Sequence, residues 1–551
     1  LFSQLFLEES RPIVARAERK AEAQALAESG GAMTHKQILL VLVGLMSGMF
    51  LSALDQSVVG SAMRTIADDL QGLELQAWVT TAYLITSTIS TPIYGKLGDI
   101  FGRRRLFIWA IGLFLLGSIL CGFAMDMFQL SLYRAVQGIG AGGLFALSMT
   151  IMADIVPPRE RARYSGMFLA VFGSSSVLGP VVGGLFASAD QILWIEGWRW
   201  VFLINIPVGA VAVFMVLNFL HVPQLMKNHK IDWWGAVTIV LAVVPMLLVA
   251  ENGSEWGWDS ALSIGMYVTT VVGIVAFIFA ERAAKEEALL PLSLFKNLSF
   301  TLSTLNGVII GLAMFGGMMT LPLLLQLVNG ASPTEAGFMM LPMVFGMMTA
   351  TIMSGQVTRK TGKYKIFLTT GTLSLLIGYV YMIGYNADME FWQVAIGMVF
   401  IGFGLGQLMQ TLTLVAQQSV AARDIGVATS SATFFRQIGG TLGVAVFISI
   451  LFNSLGDTIG RAFKDEKILA GIKQAAQDPQ VLADPTNRAF IEKMTSGDMA
   501  NLSDQISTDS SFLNNLDPRL ARPFLVGFAE SATQVFFWAA IVVAVAFVLS
   551  F

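Results

Sequence analysis

The sequence predicts an all-α, polytopic membrane protein, and three observations carry that prediction. Of 551 residues, 55% are hydrophobic and only 13% are charged, whereas a soluble domain carries about 25% charged residues. The mean hydropathy is +0.68. Apolar stretches of the length that crosses hydrocarbon, about 20 residues each, recur along the chain. That recurrence excludes a single anchor on a soluble domain, and the lack of short alternating segments excludes a β-barrel. A net charge of −3 offers no surface for nucleic acid. One cysteine, Cys121, and three histidines exclude disulfide chemistry and a thiolate or imidazole metal centre. No cofactor is expected.

Residues 1–36 read as a cytoplasmic N-terminal extension, with a surface-lying helix as the alternative. They are rich in Ala, Glu and Arg, lack the apolar core of a signal peptide, and carry a weak stripe through Ile13, Ala17 and Ala21. Apolar runs then follow at 37–62, 77–95, 105–125, 129–153, 165–187 and 200–220. Two more stand at 233–250 and 261–280, and six at 299–326, 335–357, 366–385, 391–415, 426–453 and 524–551. Fourteen spans in all return both termini to one side. The expected organisation is a six-helix unit over 37–220, a linker with two further spans over 221–298, and a second six-helix unit over 299–551.

Charge says which side. One set of short loops holds Lys96, Arg103, Arg104, Arg105, Arg159, Arg161, Arg163, Lys227 and Lys230. The same side continues with Arg282, Lys285, Lys296, Arg359, Lys360, Lys363, Lys365 and Arg423, while the opposite short loops hold little beyond Arg64. Basic loops stay in the cytoplasm, so both termini are expected there, in a multi-pass protein of a bacterial cytoplasmic membrane. The stretch at about 454–523 is too long to be structureless. Its mixed charge and its Asp478-Pro479, Asp484-Pro485 and Asp517-Pro518 breaks predict an extracytoplasmic helical insertion, read as a cap, a substrate gate or a docking site.

A weak internal repeat supports the two-unit reading. Gly95 to Arg105 and Gly355 to Lys365 share glycines at their first and eighth places, and Gly138, Gly140 and Gly142 echo Gly402, Gly404 and Gly406. Repeats of this kind fit halves that rock about a site near the midplane.

Asp55 is the sharpest functional signal, a carboxylate inside an apolar first helix. Such a group must face water, a cation or a proton. Arg134 at the start of the fourth span is its counterpart. At 1.5 Å per residue, Asp55 lies roughly 27 Å above Gln37 and Arg134 roughly 8 Å below Gln129, so both fall in the outer third of the slab. A changing distance between them would change the proton affinity of Asp55, with Gln137 one turn along as a polar support. Gly95, Asp99, Gly102, Arg103 and Arg105 read as a hinge and conformational gate, as do Gly179, Pro180 and Gly183 on the fifth span. Candidate cavity residues are Trp78, Tyr83, Asn306, Met314, Met318, Gln326, Met343, Met347, Gln407 and Gln410, with methionine suiting varied apolar ligands. Glu335 reads as a helix-dipole partner or an additional acid, Glu530 as interfacial or an additional acid, and Arg436 as a snorkelling side chain.

At these residues the chain resembles the major facilitator superfamily, and within it the fourteen-span drug:proton antiporter branch. Gly95 to Arg105 is similar to the loop between spans 2 and 3, Arg134 to Gly143 to the span-4 motif, and Gly179 to Gly184 to the span-5 antiporter motif. Leu54 to Val59 and the pair Trp198-Arg199-Trp200 with Asn205-Ile206-Pro207 add to the likeness. The resemblance implies proton-driven export of small lipophilic or amphipathic compounds by alternating access, with Asp55 or Arg134 in proton coupling and no obligate protein partner beyond membrane lipids. The implied carrier works as a monomer and is not an enzyme. Export of lipids or an endogenous metabolite, proton-coupled uptake, and a lipid-binding scaffold or sensor are the alternatives. Gly60 and Arg64 stand where the branch usually has Asn and Pro, and the second half lacks the membrane acids of some multidrug members, which leaves room for a lipid-like or neutral cargo.

Overall fold

The computed structural model describes residues 35–70, 75–156, 158–187, 189–220, 232–421, 424–495 and 516–551. The reading of the first 34 residues, and of the insertion over 496–515, lies outside them. The helices are α1 (His35–Asp69), α2 (Gln76–Phe101), α3 (Arg103–Gly122), α4 (Met127–Ile155), α5 (Pro158–Ala187) and α6 (Asn205–Phe219). A small hairpin, β1 (Gln191–Ile192) with β2 (Ile195–Glu196), and a short helical turn, Trp200–Leu203, lead into α6. Then come α7 (Trp233–Trp256), α8 (Ala261–Ala284), α9 (Leu298–Leu327), α10 (Leu341–Thr361), α11 (Ile366–Met382), α12 (Phe391–Gln418), α13 (Ile425–Ala462) and α14 (Pro518–Leu549).

Among the described residues, eleven helices are long and apolar enough to cross a membrane. Three of the expected fourteen runs fall outside that set. α2 is long, at 26 residues, but carries a run of hydroxyl side chains, and many side chains of the 30-residue α5 lie outside the described ones. α11 is apolar but has 17 residues.

Local chemistry sets the ends. Asp126 caps α4 by accepting from Gln129 N at 2.7 Å, and Ser332 with Glu335 forms a capping box ahead of α10. Gly102 and Gly362, the matched glycines of the two repeated turns, have φ of +90° and +71°. Only glycine adopts such angles without strain, which is why both turns need it.

The packing partners repeat as well. α1 lies against α4, α5 and α6, as α9 lies against α12, α13 and α14. α4 sits between α2 and α3, as α12 sits between α10 and α11. The glycine echo has a physical basis: Gly138 and Gly142 admit the backbone of α2, while Gly402 and Gly406 admit that of α10. Gly140 abuts α3 and Gly404 abuts α11. A third pairing was not legible from sequence, since Gly179 and Gly183 of α5 seat on α1 as Gly439 and Gly443 of α13 seat on α9. Small residues on both sides are what let helices approach this closely.

α5 with α10, and α2 with α13, join the two sets. α7 lies over the α2–α13 seam through Ile239, Val243 and Leu247 against Ile85, Ile89, Phe434 and Ile438. α8 is peripheral, with Val268, Val271, Val272 and Phe279 exposed as lipid contact would require.

α13 runs through Ala462, nine residues past its expected apolar end, and α14 begins at Pro518, so both helices extend into the insertion. Glu466–Gln477, Pro479–Ala483 and Pro485–Thr495 are helical there, each started by an Asp-Pro or Asp cap. Ile472, Val481 and Phe490 join the hydrophobic core of the second set. Arg519 holds Asp478 at 3.0 Å and Asp517 at 2.9 Å, and Asn487 accepts from Asp517 N. The guanidinium keeps both carboxyls below their ordinary range.

Candidate functional site

Four helices deliver the polar cluster. α1 brings Asp55, α4 brings Arg134 and Gln137 on one face at i and i+3, α3 brings Ser118 and Cys121, and α6 brings Asn205. Gly117 makes the room, since a Cβ there would fall 2.6 Å from Gln137 Cα. Asp55 is 0% exposed and Arg134 1%.

Arg134 Nη1 donates to Asp55 Oδ2 at 2.5 Å and to Gln137 Oε1 at 2.8 Å. Gln137 Nε2 donates to Asp55 Oδ1 at 2.8 Å and to Ser118 Oγ at 2.7 Å. Asn205 Nδ2 reaches Asp55 Oδ1 at 2.7 Å and Ser118 Oγ at 3.2 Å. The carboxylate therefore accepts from three side chains. The guanidinium carbon lies 4.0 Å over the Tyr83 ring, whose hydroxyl shares a 2.8 Å bond with Ser52 Oγ. Among the described residues, Arg134 Nε and Asn205 Oδ1 have no hydrogen-bond partner.

A charge pair in such surroundings is held by mutual need. Removing one partner strands the other and costs about 3–5 kcal/mol.

Sequence reasoning singled out Asp55, Arg134, Gln137 and Tyr83, and all four meet here. It missed Ser118 as a member, and it noted Asn205 only within a motif. The available signal was an amide in an apolar stretch beside the Trp198-Arg199-Trp200 segment.

The other expected groups lie elsewhere. Gly95 seats against Ser430 of α13 at the end that carries the basic turns. Arg103 bonds Asp154 and, at 3.0 Å, Thr150 O, both on α4, which ties the turn to its own set of helices. Arg105 is exposed. The side chains of Asp99 and Pro180 lie outside the described residues. Gly179 and Gly183 fix α5 on Ser57 and Ser61 of α1.

Met343 and Met347 are inside the hydrophobic core of the second set, with Met314 and Met318 packed against it. Gln407 accepts from Thr370 at 2.5 Å. Gln326 and Gln410 are half-buried. Trp78 packs on Trp256 at 6.3 Å, and Asn306 is buried on α9. Glu530 is 45% exposed and 3.5 Å from Arg461, while Glu335 caps its helix. Among the described residues, no three His, Cys, Asp or Glu side chains gather as a metal site requires.

Known proteins place this architecture. Solved structures of similar fold include the proton:xylose symporter XylE, with a TM-score of 0.53 at 15% identity over 76% of this chain and 90% of that one. A bacterial homologue of the human lysosomal transporter Spinster gives 0.52 at 17% identity, over 94% and 98%. In sequence, the Bacillus subtilis (strain 168) multidrug transporter protein MdtP is 38% identical over 413 residues, 75% of each chain. The multidrug resistance protein 3 of the same organism is 35% identical over 82% of this chain and 87% of its own. The sequence profile of the Major Facilitator Superfamily matches residues 45–444, a stretch that contains the whole polar cluster. With helices, glycine lattice and relatives in agreement, the chain belongs to the Major Facilitator Superfamily.

Proposed function

We propose that the chain is a proton-coupled antiporter of the fourteen-span drug-exporter branch, expelling small lipophilic or amphipathic compounds by alternating access. Membership of the superfamily already makes it a secondary transporter of small molecules rather than an enzyme, and a multi-pass protein of the bacterial cytoplasmic membrane. In the finer reading, α1–α6 and α9–α14 are two six-helix bundles over 37–220 and 299–551. α7 and α8 belong to the linker over 221–298, and both termini are cytoplasmic. The repeated packing and the basic turns support that organisation. The names of the Bacillus relatives, a multidrug transporter and a multidrug resistance protein, support a drug-like cargo.

The observation that carries the mechanism is the sealed ion pair of Asp55 and Arg134. With the pair closed, Asp55 accepts from Arg134, Gln137 and Asn205. Rocking that draws α4 from α1 would open the pair and leave the buried carboxyl to a proton as its counter-charge. Cargo that favours the closed pair then competes with the proton, which is the coupling an exchanger needs. Gln137 bonds both members and moves with Arg134. Gly95 on Ser430 at the basic end, and Gly179 with Gly183 on α1, are the close contacts over which such rocking turns.

Counterflow in proteoliposomes tests this reading. The intact protein is expected to accumulate a lipophilic dye against an outward-directed cargo gradient in proportion to the imposed pH difference. Asp55→Asn is expected to bind the dye and lose the pH dependence. Full pH dependence in the variant would remove Asp55 as the carrier of the proton.

A further inference from the structure

The second set of helices holds a cation that the Asp55 cluster does not use. From sequence alone Arg436 looked able to reach back along α13 to water. The structure corrects that expectation. Arg436 lies eleven residues into α13, roughly 17 Å from its start, and is 5% exposed. It stands in the angle between α9, α12 and α13. A Cβ on Gly307 of α9 would come 4.0 Å from Arg436 Cβ, and Thr413 of α12 accepts from Nη1 at a long 3.4 Å. Among the described residues no carboxylate stands within ion-pair distance of it, whereas Arg134 spends its charge on Asp55.

The surroundings select the sign of a visitor. α9, α10, α11 and α12 contain no Asp or Glu. A cationic cargo would meet an unscreened guanidinium and no counter-charge, which excludes it as effectively as a clash. Asn306, next to Gly307 and 4% exposed, donates Nδ2 to Leu302 O, and among the described residues its Oδ1 has no partner. That acceptor suits a hydroxyl or N–H beside an anion. Gln437, the next residue on α13, accepts from Thr91 of α2 at 2.9 Å, so the helix bearing Arg436 is fastened to the first set at the same level.

We infer that Arg436 is a head-group subsite of the transport pathway and receives an oxyanion, carboxylate or phosphate, carried by an amphiphile. A guanidinium out of water without a counter-ion is costly, and its planar fork matches two oxyanion oxygens at once. The inference rests on the exporter reading for the pathway and names the class of its cargo.

Protein in phosphatidylcholine nanodiscs, titrated with 12-(9-anthroyloxy)stearate and with its methyl ester, tests this by energy transfer from tryptophan after subtraction of empty discs. The acid is expected to bind saturably and about tenfold or more tighter than the ester, as one desolvated charge-assisted contact supplies. Arg436→Gln is expected to erase that preference while leaving ester binding unchanged, and Arg436→Lys to keep part of it. Competition by inorganic phosphate would identify a free ion as an occupant, and competition by phosphatidylglycerol in the disc a lipid head group. Either supports the oxyanion chemistry. Equal affinities of acid and ester in the unmodified protein overturn the inference, whether or not Arg436→Gln folds, and so does an Arg436→Gln protein that keeps the preference. The two readings fail separately. Proton-driven ester counterflow without acid preference removes this inference alone, and acid preference without proton-driven counterflow removes the antiport reading alone.

Discussion

The two sets of helices share a lattice and differ in what they put into it. On α3, Gly117 admits Gln137, with a virtual Cβ 2.6 Å from its backbone nitrogen. On α11, Gly378 admits Ile401 in the same way, at 2.8 Å. Gly140 and Gly404 then meet the nitrogens of Phe114 and Leu375 at 2.5 and 2.6 Å. By this register Ile401 stands for Gln137, Met398 for Arg134, and Tyr379 for Ser118. All three replacements are buried in the hydrophobic core, and the Tyr379 hydroxyl donates to Ala313 O at 2.6 Å. The apolar version shows that the lattice does not require an ion pair to pack. Polarity at Arg134 and Gln137 is therefore not something the shared helix packing demands.

Converting one set into the other is the strongest way to break this comparison. Arg134→Met alone strands Asp55 and is expected to cost about 3–5 kcal/mol, read as a fall in melting temperature. Adding Asp55→Ile and Gln137→Ile is expected to return most of that loss while abolishing proton-coupled transport. A triple variant less stable than the single one would show that the first set needs its charges to fold. Asn205→Ala removes one donor to the carboxylate and is expected to cost about 1.5–3 kcal/mol, with the pH dependence of counterflow displaced as well as the melting temperature lowered.

The shared frame can be tested on both sides at once. Gly140→Ala and Gly404→Ala each force a methyl group against a neighbouring backbone, and each is expected to cost about 1–3 kcal/mol. Costs that differ widely between them would mean the two frames are not equivalent. The capped end of the second set has no counterpart in the first, and pH separates them. Hydrogen bonds from Arg519 depress the carboxyls of Asp478 and Asp517. Their contribution is full above the ordinary aspartate value of 3.8 and fades as pH falls through the lower folded values. Proteolysis of the cap is expected to rise on that acid limb before the bundle melts, and Arg519→Ala to remove the step. Smallest of all, Glu530→Gln loses an exposed pair with Arg461. It is expected to change stability by no more than about 0.5 kcal/mol and counterflow not at all; a transport defect would place Glu530 in the pathway.

Much of this was legible where chemistry is scarce. A lone acid in α1 and a lone base in α4 stand out because hydrocarbon tolerates neither, and helix rise alone put them at one depth. Glycines at fixed spacing were legible because only their size permits the contact. Ser118 and Asn205 were not, since a single hydroxyl or amide in an apolar helix carries no mark of the direction it faces. Arg436 was misread for a related reason. Sequence puts it in the half of its span nearer the basic turns, and only its depth in α13 and the packing of α9 and α12 show that it is closed off from water. The helix ends at the insertion were also misplaced, because polar residues after 453 continue α13 into water, where helix is no less favourable than in lipid.

That continuation has a mechanical consequence. α13 is 38 residues long, about 57 Å of uninterrupted rod beside a hydrocarbon layer of about 30 Å. Some 39 Å of it lies between Arg436 and Ala462, so a tilt too slight to notice at the level of the guanidinium becomes a swing of several ångströms at the far tip. The helices of the insertion ride on the far end of that rod, and a spin label there would magnify any tilt of α13.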